Sequence, residues 1–278
     1  MFHLMLAVLC SAAISLVMRL SADKVKNNIS MLAMNYLMCL LIAAAYSGWG
    51  SLFSREAGAG MAMVLGGGQG LLYLAAFVLL QMNIRKNGVV LSAIFQRLGL
   101  LVPMLVSVFL FGEMPEGLQV LGFCVAIAAI VFINFEKEQT VMQFKFGLVL
   151  LLLAGGCADV MAKLYEEWGD PGQAPQFLLY TFGLALVLCL ILMVWKKERP
   201  GLAEMVYGFA VGVPNYFSAK FLLASLESIP AVIVYPTFSV ATILIVTLAG
   251  VVLFRERLGK RQWIAVGMIL VALVLLNL

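Results

Sequence analysis

Ten apolar runs follow one another along this chain of 278 residues, with only short polar breaks between them. A hydrocarbon core about 30 Å thick takes roughly 20 apolar residues per helical span, and each run has about that length. The pattern predicts an all-α integral membrane protein with ten transmembrane helices. The predicted spans are 2–20, 30–48, 60–82, 88–111, 117–135, 146–165, 175–195, 203–225, 230–253 and 260–277.

The composition supports a membrane protein and leaves little mass outside the bilayer. Hydrophobic residues make up 64% of the chain, charged residues only 12%, and the mean hydropathy is +1.06, which is far from a soluble globular domain. The first run has no Lys or Arg before it, and its positive charges follow it, so it is expected to remain a membrane helix. We therefore predict a single transmembrane domain over residues 1–278.

The residue types that enzymes need are scarce. The five cysteines all fall inside predicted spans and form no CxxC, so they are interpreted as packing residues. His3 is the only histidine, which excludes HExxH and a Ser-His pair, and no GxSxG occurs. The sequence favours a protein that is not an enzyme, with no catalytic residue, metal or cofactor.

The distribution of Lys and Arg predicts an orientation. Positive residues are retained on the cytoplasmic side of bacterial-type membranes. In the loops after even-numbered spans, Arg55 is the only Lys or Arg residue. The loops after odd-numbered spans, called the odd-side loops, should therefore be cytoplasmic, with both termini outside. The membrane is predicted to be a bacterial-type inner membrane. The net charge of +4 is explained by these loops and requires no nucleic-acid partner. The odd-side loops hold Arg19, Lys24, Lys26, Arg85, Lys86, Lys137, Lys145, Lys196, Lys197, Arg199, Arg255, Arg257, Lys260 and Arg261.

The chain contains an internal repeat. Residues 109–134 align with residues 252–277 at a constant offset of 143. Five spans per copy is an odd number, so the second copy must enter the membrane inverted, as in many secondary transporters. We predict repeat one at about 1–138 and repeat two at about 144–278. The matched positions are Glu113 with Glu256, Gln119 with Gln262, Asn134 with Asn277 and, at an offset of 142, Gly66 and Gly70 with Gly208 and Gly212 as a recurring small-xxx-small contact.

"FGE" at 111–113 and "FRE" at 254–256 close the fourth span of each half, before a fifth span rich in Gly and Ala. This pattern resembles the EamA-type members of the drug/metabolite transporter superfamily. The resemblance covers essentially the whole chain and implies a central cavity lined mainly by the first four helices of each half, alternating access, and a small-molecule substrate. Arg255 replaces the usual glycine, and many bacterial members are thought to have cytoplasmic termini, opposite to the orientation predicted here.

Four charged side chains qualify as candidates for the membrane interior: Arg97, Asp159, Lys163 and Lys220. Each costs at least about 2.5 to 3.5 kcal/mol in the bilayer centre and usually marks a pathway. Asp159 and Lys163 are four apart on one helix and can pair, whereas Arg97 has no acidic residue within a turn of its own helix. Three alternatives remain open: Asp159 pairs with Arg97 or Lys220, Asp159 couples transport to protons, or Lys163 snorkels outward.

Polar and aromatic residues accompany these charges, and Pro103, Pro214 and Pro236 are expected to free backbone carbonyls inside spans. With surplus positive charge from Arg97 and Lys220, we predict a secondary-active transporter of a small carboxylate- or phosphate-bearing metabolite, such as an amino acid. A lipid-phosphate flippase and a broad-specificity drug/metabolite exporter remain alternatives, as does a homodimer. The predicted substrate-binding residues are Arg97, Lys220, Asn35, Tyr36, Gln69, Tyr73, Gln96, Asn215, Tyr216 and Tyr235.

Overall fold

The computed structural model describes residues 1–48, 58–134, 145–254 and 259–278. Within these ranges it contains ten α-helices and one short 3-10 turn, which confirms the predicted all-α class. The helices are α1 Phe2–Ser21, α2 Asn28–Ser47, α3 Ala59–Leu98, α4 Leu101–Phe111, α5 Gly117–Asn134, α6 Lys145–Trp168, α7 Ala174–Trp195, α8 Leu202–Leu226, α9 Ala231–Phe254 and α10 Lys260–Leu276, with the 3-10 turn at Pro171–Gln173.

Most of these helices are long and apolar enough to cross a membrane. Seven such stretches occur among the described residues, and the apolar parts of α5 and α10 are shorter. Helix α8 lies outside this set because polar side chains, among them Asn215 and Lys220, lower its hydropathy. The chain is a multi-pass membrane protein. The seven stretches are Phe2–Ser21, Asn28–Ser47, Ala59–Asn87, Ser92–Phe111, Lys145–Trp168, Pro171–Trp195 and Ala231–Leu253.

The break predicted between the third and fourth spans is misplaced. Residues 83–87 are helical, and α3 continues to Leu98 before the α-helical bonding gives way to i→i−3 bonds at Gly99 and Leu100. The physical cause is Pro103, whose ring conflicts with the carbonyl four residues earlier, that of Gly99. Asn83 keeps the helix intact through the predicted loop, since its amide donates to the carbonyl oxygens of Leu79 and Gly147, each at 2.8 Å.

The helices form two compact units, and each unit takes helices from both halves of the sequence. The first unit comprises Met1–Leu74 and Met161–Glu227, and the second comprises Ala75–Val160 and Ser228–Leu278. The sequence repeats are therefore not the compact bodies of the protein. Among the residues that carry the repeat and the charge bias, Arg55, Lys137, Arg255, Glu256 and Arg257 lie outside the described residues, as do the side chains of Asn134, Arg261 and Gln262.

In the first unit the two small-xxx-small pairs make equivalent contacts, as the sequence predicts. On α3, a methyl group at Gly66 would come within 2.5 Å of the carbonyl oxygen of Phe177 in α7. On α8, a methyl group at Gly212 would come within 2.7 Å of the carbonyl oxygen of Asn35 in α2. Glycine is needed at both positions because the backbones meet directly. Each glycine-bearing helix thus packs on a helix from the other half of the sequence.

Two capping side chains occupy positions that are related by the offset of the predicted repeat. Asn27 caps α2, where its side-chain oxygen accepts from the N–H groups of Ile29 and Ser30 at 3.0 and 3.1 Å. Asp170, which follows Asn27 by the same 143 positions, accepts from the N–H of Gly172 at 2.8 Å. Both are side chains that stabilise a helix N-terminus. Asn27 thus caps α2 directly, whereas Asp170 caps the 3-10 turn that leads into α7.

In the second unit, the acid of the "FGE" motif has a structural role. Gly112 ends α4 in the left-handed conformation, with φ of 69°, which favours glycine. The Glu113 carboxylate that follows accepts from the N–H of Ala231 at 2.6 Å and of Val232 at 3.4 Å, at the start of α9. A carboxylate there satisfies free N–H groups and complements the helix dipole. Glu113 thus ties the end of α4 to the start of α9.

Candidate functional site

The predicted site residues divide between the two units, and the two groups are described separately. The first unit holds the larger group, which includes Lys220 and most of the polar side chains. The second holds the arginine and the one acidic residue predicted deep in a span. The first-unit members are Asn35, Tyr36, Gln69, Tyr73, Lys163, Asn215, Tyr216 and Lys220, and the second-unit members are Gln96, Arg97, Asp159 and Tyr235.

Two of the first-unit amides join helices. Asn35 is buried on α2, and its oxygen accepts from the side-chain amide of Asn215 on α8 at 3.1 Å. Gln69 is buried on α3, and its oxygen accepts from the hydroxyl of Thr181 on α7 at 3.0 Å. These bonds lie at the same two helix pairs as the glycine contacts. Asn35, Asn215 and Gln69 therefore stabilise the packing of equivalent helices.

Aromatic rings surround Tyr216 in the first unit. Its ring centroid lies 5.8 Å from that of Tyr46, 6.1 Å from that of Phe182 and 5.4 Å from that of Phe217. Tyr36 adjoins the same group at 6.2 Å from Phe182. We call these five residues the aromatic cluster. Sequence reasoning found Tyr36 and Tyr216 but missed the other three, which carry no local signal inside apolar runs.

Lys220 lies against this cluster. Its ammonium nitrogen is 3.6 Å from the centroid of the Tyr46 ring, a cation–π geometry. The side chain is half-buried, and no carboxylate within the part of the chain that the structure describes pairs with it. Tyr46 therefore holds the ammonium group in place without neutralising its charge.

The predicted ion pair between Asp159 and Lys163 is wrong. Lys163 is 2% exposed, and its ammonium group instead bonds Glu166 and Glu167, each at 2.7 Å. These carboxylates lie three and four residues further along α6, which extends to Trp168 rather than ending near residue 165. A helical lysine reaches such positions readily. The positive charge of Lys163 is thus neutralised by two glutamates of its own helix.

In the second unit, Arg97 lies beside the break between α3 and α4. It occupies the last turn of α3, two residues before Gly99. Gly99 meets α6 closely, since a methyl group at Gly156 would come within 2.5 Å of the Gly99 carbonyl oxygen. Three residues beyond Gly156, α6 carries Asp159. The glycine contact therefore brings the helix segments that carry Arg97 and Asp159 together.

The remaining second-unit members differ in exposure and bonding. Tyr235 is buried on α9, and its hydroxyl donates to the backbone carbonyl oxygen of Asp159 at 2.8 Å. Gln96 is exposed. Arg97 and Asp159 are half-buried, and neither side chain forms an ion pair with any residue in the described ranges. The second unit thus offers one cation and one anion that do not neutralise each other.

Comparisons with known proteins identify a matching transporter family, two related proteins and one solved structure of similar fold. Residues 145–278 match the model of the EamA-like transporter family. An uncharacterized protein of Haemophilus influenzae is 24% identical over 96% of this chain and 94% of its own length. The spermidine export protein MdtI of Cronobacter sakazakii is 32% identical over 34% of this chain and 87% of its own length. A protein crystal structure shares the fold, with a TM-score of 0.74 and 19% identity over 99% of this chain and 94% of that one.

These findings define a membrane transporter, and the described residues form ten α-helices. Residues 145–278 form an EamA-like transporter domain, and the likeness to MdtI supports membership of the drug/metabolite transporter superfamily. The resemblance drawn from the "FGE" and "FRE" segments is confirmed, as are the transport and membrane classes. A small-molecule substrate and contact with membrane lipids follow from membership of this family.

Proposed function

We propose that this protein is a secondary-active carrier of a small carboxylate- or phosphate-bearing metabolite, such as an amino acid, working by alternating access. The observation that carries the proposal is Arg97, a guanidinium on an apolar helix with no carboxylate partner among the described residues. A planar guanidinium fork binds carboxylate or phosphate in two parallel hydrogen bonds. Lys220 adds a second cation whose charge is held by a ring and left uncompensated.

A second candidate is export of an organic cation. It is favoured by the likeness to a relative named as a spermidine exporter and by Asp159, whose carboxylate has no ion-pair partner in the described ranges. A cationic substrate would use Asp159 as its anchor, and Arg97 would then repel it. The two candidates therefore place opposite demands on the same pair of residues.

Thermal unfolding of the purified full-length protein separates these candidates. We expect a carboxylate or amino acid at a hundred times its dissociation constant to stabilise the wild type by about 2.7 kcal/mol. Arg97→Gln should lose this stabilisation, while Arg85→Gln, at an exposed position of the same helix, should keep it. The panel also holds phosphorylated metabolites, polyamines, neutral drugs and phospholipids.

Other outcomes of this panel contradict the proposal. Stabilisation by polyamines alone, lost in Asp159→Asn, would establish the cation exporter. Stabilisation by phospholipid alone would establish a lipid-phosphate flippase, and stabilisation by neutral drugs in both arginine variants would establish a broad-specificity exporter.

We also propose that the protein lies in a bacterial-type inner membrane with both termini outside. The support is the excess of Lys and Arg after odd-numbered spans. A reporter that is active only in the cytoplasm, fused after Leu278, is expected to stay inactive. The same reporter placed after Lys197, in a loop on the predicted cytoplasmic side, serves as the positive control. Activity at the C-terminus would reverse the orientation.

A further inference from the structure

A cavity of about 150 Å³ lies in the first unit, between the start of α7 and the C-terminal half of α8. Its charged lining residues are Lys220 on α8 and Glu227, the C-cap residue that follows α8, and Tyr216 contributes to the same wall. The rest of its lining is apolar and includes Leu178 and Leu223. A mostly apolar cavity with a few polar groups is the usual form of a small-molecule site.

The two charges of this cavity have opposite signs and different positions. Lys220 and Glu227 are seven residues apart, which places them on one face of α8 and separates them by about 10.5 Å along the axis. Within the described residues they form no ion pair with each other. The cavity therefore has a positive end and a negative end that do not neutralise each other.

Neighbouring groups support the charge at each end of the cavity. At the positive end, Tyr46 fixes the Lys220 ammonium group, and one turn away Tyr216 is fully buried with a hydroxyl that has no hydrogen-bond partner in the described part of the chain. At the negative end, Glu227 is exposed at the C-cap of α8, where the free carbonyl groups of a helix also attract a cation.

We propose that this cavity binds a zwitterion, with its carboxylate at Lys220 and its ammonium group at Glu227. The spacing of the two residues along the helix axis favours a ligand whose charged groups lie at opposite ends, as in an ω-amino acid. This inference rests on the proposed function for its substrate class alone, since it assigns the same class of substrate a second site, separate from Arg97, that also holds its ammonium group.

The test compares 4-aminobutyrate with two analogues that each carry one of its charges, butyrate and butylamine, as ligands of the purified full-length protein. In the wild type, 4-aminobutyrate binds at least tenfold more tightly than either analogue. Lys220→Met removes its advantage over butylamine, and Glu227→Gln removes its advantage over butyrate. The matched controls, at exposed positions outside the cavity lining, are Lys196→Met and Glu116→Gln, and both keep the wild-type order.

Several results would overturn the zwitterion site. Butyrate that binds as tightly as 4-aminobutyrate to the wild type would overturn it. A Glu227→Gln protein that keeps the wild-type preference for 4-aminobutyrate over butyrate would also overturn it. Glu227 is exposed, so this variant keeps its fold and remains informative even where Lys220→Met unfolds. Binding of none of the three ligands also overturns it. The proposed function fails separately, when Arg97→Gln keeps the thermal stabilisation by carboxylates that carry no amine; this variant leaves the cavity intact and should keep the advantage of 4-aminobutyrate over butyrate and butylamine.

Discussion

Replacement of Gly156 by alanine is expected to destabilise the protein by about 2 to 3 kcal/mol, a large value for one methyl group. The added carbon would come within 2.5 Å of both the Gly99 carbonyl oxygen and the Val102 Cγ2 atom. Neither atom belongs to a flexible chain end, so α6 and the α3–α4 break must move apart. The expected result is a lower free energy of unfolding, measured by denaturant titration in detergent.

Gly155 provides the matched control for this substitution. It is the neighbouring residue on α6, and a methyl group there meets no atom within 4 Å. Alanine in a helix is favoured over glycine by about 0.5 to 1 kcal/mol, so Gly155→Ala should leave stability unchanged or raise it. The difference between the two variants isolates the contact with Gly99. Equal stabilities would mean that the helices are not in close contact at this point.

Lys163→Met is expected to lower the free energy of unfolding by about 2 to 3 kcal/mol. Breaking a fully buried ion pair costs roughly 3 to 5 kcal/mol, and the smaller value reflects the partial exposure of Glu167, whose side chain is 33% exposed. Loss of the ammonium group leaves two adjacent carboxylates with their mutual repulsion and without their common partner.

A triple variant distinguishes this explanation from simple loss of packing. When Lys163→Met is combined with Glu166→Gln and Glu167→Gln, no charge remains to be compensated, and most of the lost stability should return. The same unfolding titration measures all three proteins. A triple variant as unstable as the single one would show that the lysine stem, rather than its charge, stabilises α6.

The sequence predicted best those parts of the fold whose residue pattern extends over many positions. Twenty-residue apolar runs persist over many positions, so single deviations do not hide the helices that they predict. The break in α3 depends instead on one proline acting four residues upstream, and the predicted break relied on polarity alone. Asn83 is polar, yet it bonds two carbonyl groups within the packed helices.

The site was predicted less completely, for two physical reasons. An error of three residues at the end of α6 placed Glu166 and Glu167 in a loop, which left Asp159 as the only apparent partner of Lys163. The aromatic residues Tyr46 and Phe182 are indistinguishable, in sequence, from core residues of apolar runs. Only the packing of α2, α7 and α8 places them beside Tyr216.

The mixed composition of the two units sets the order in which the chain can fold. The hydrogen bond between Asn35 and Asn215 cannot form until Asn215 has been synthesised, 180 residues later. The first unit also lacks α7 and α8 until most of the protein has been made. Contacts between such distant segments form slowly because a long loop must close first. The faces of α2 and α3 that pack on α8 and α7 therefore remain without these partners until the two later helices have been made.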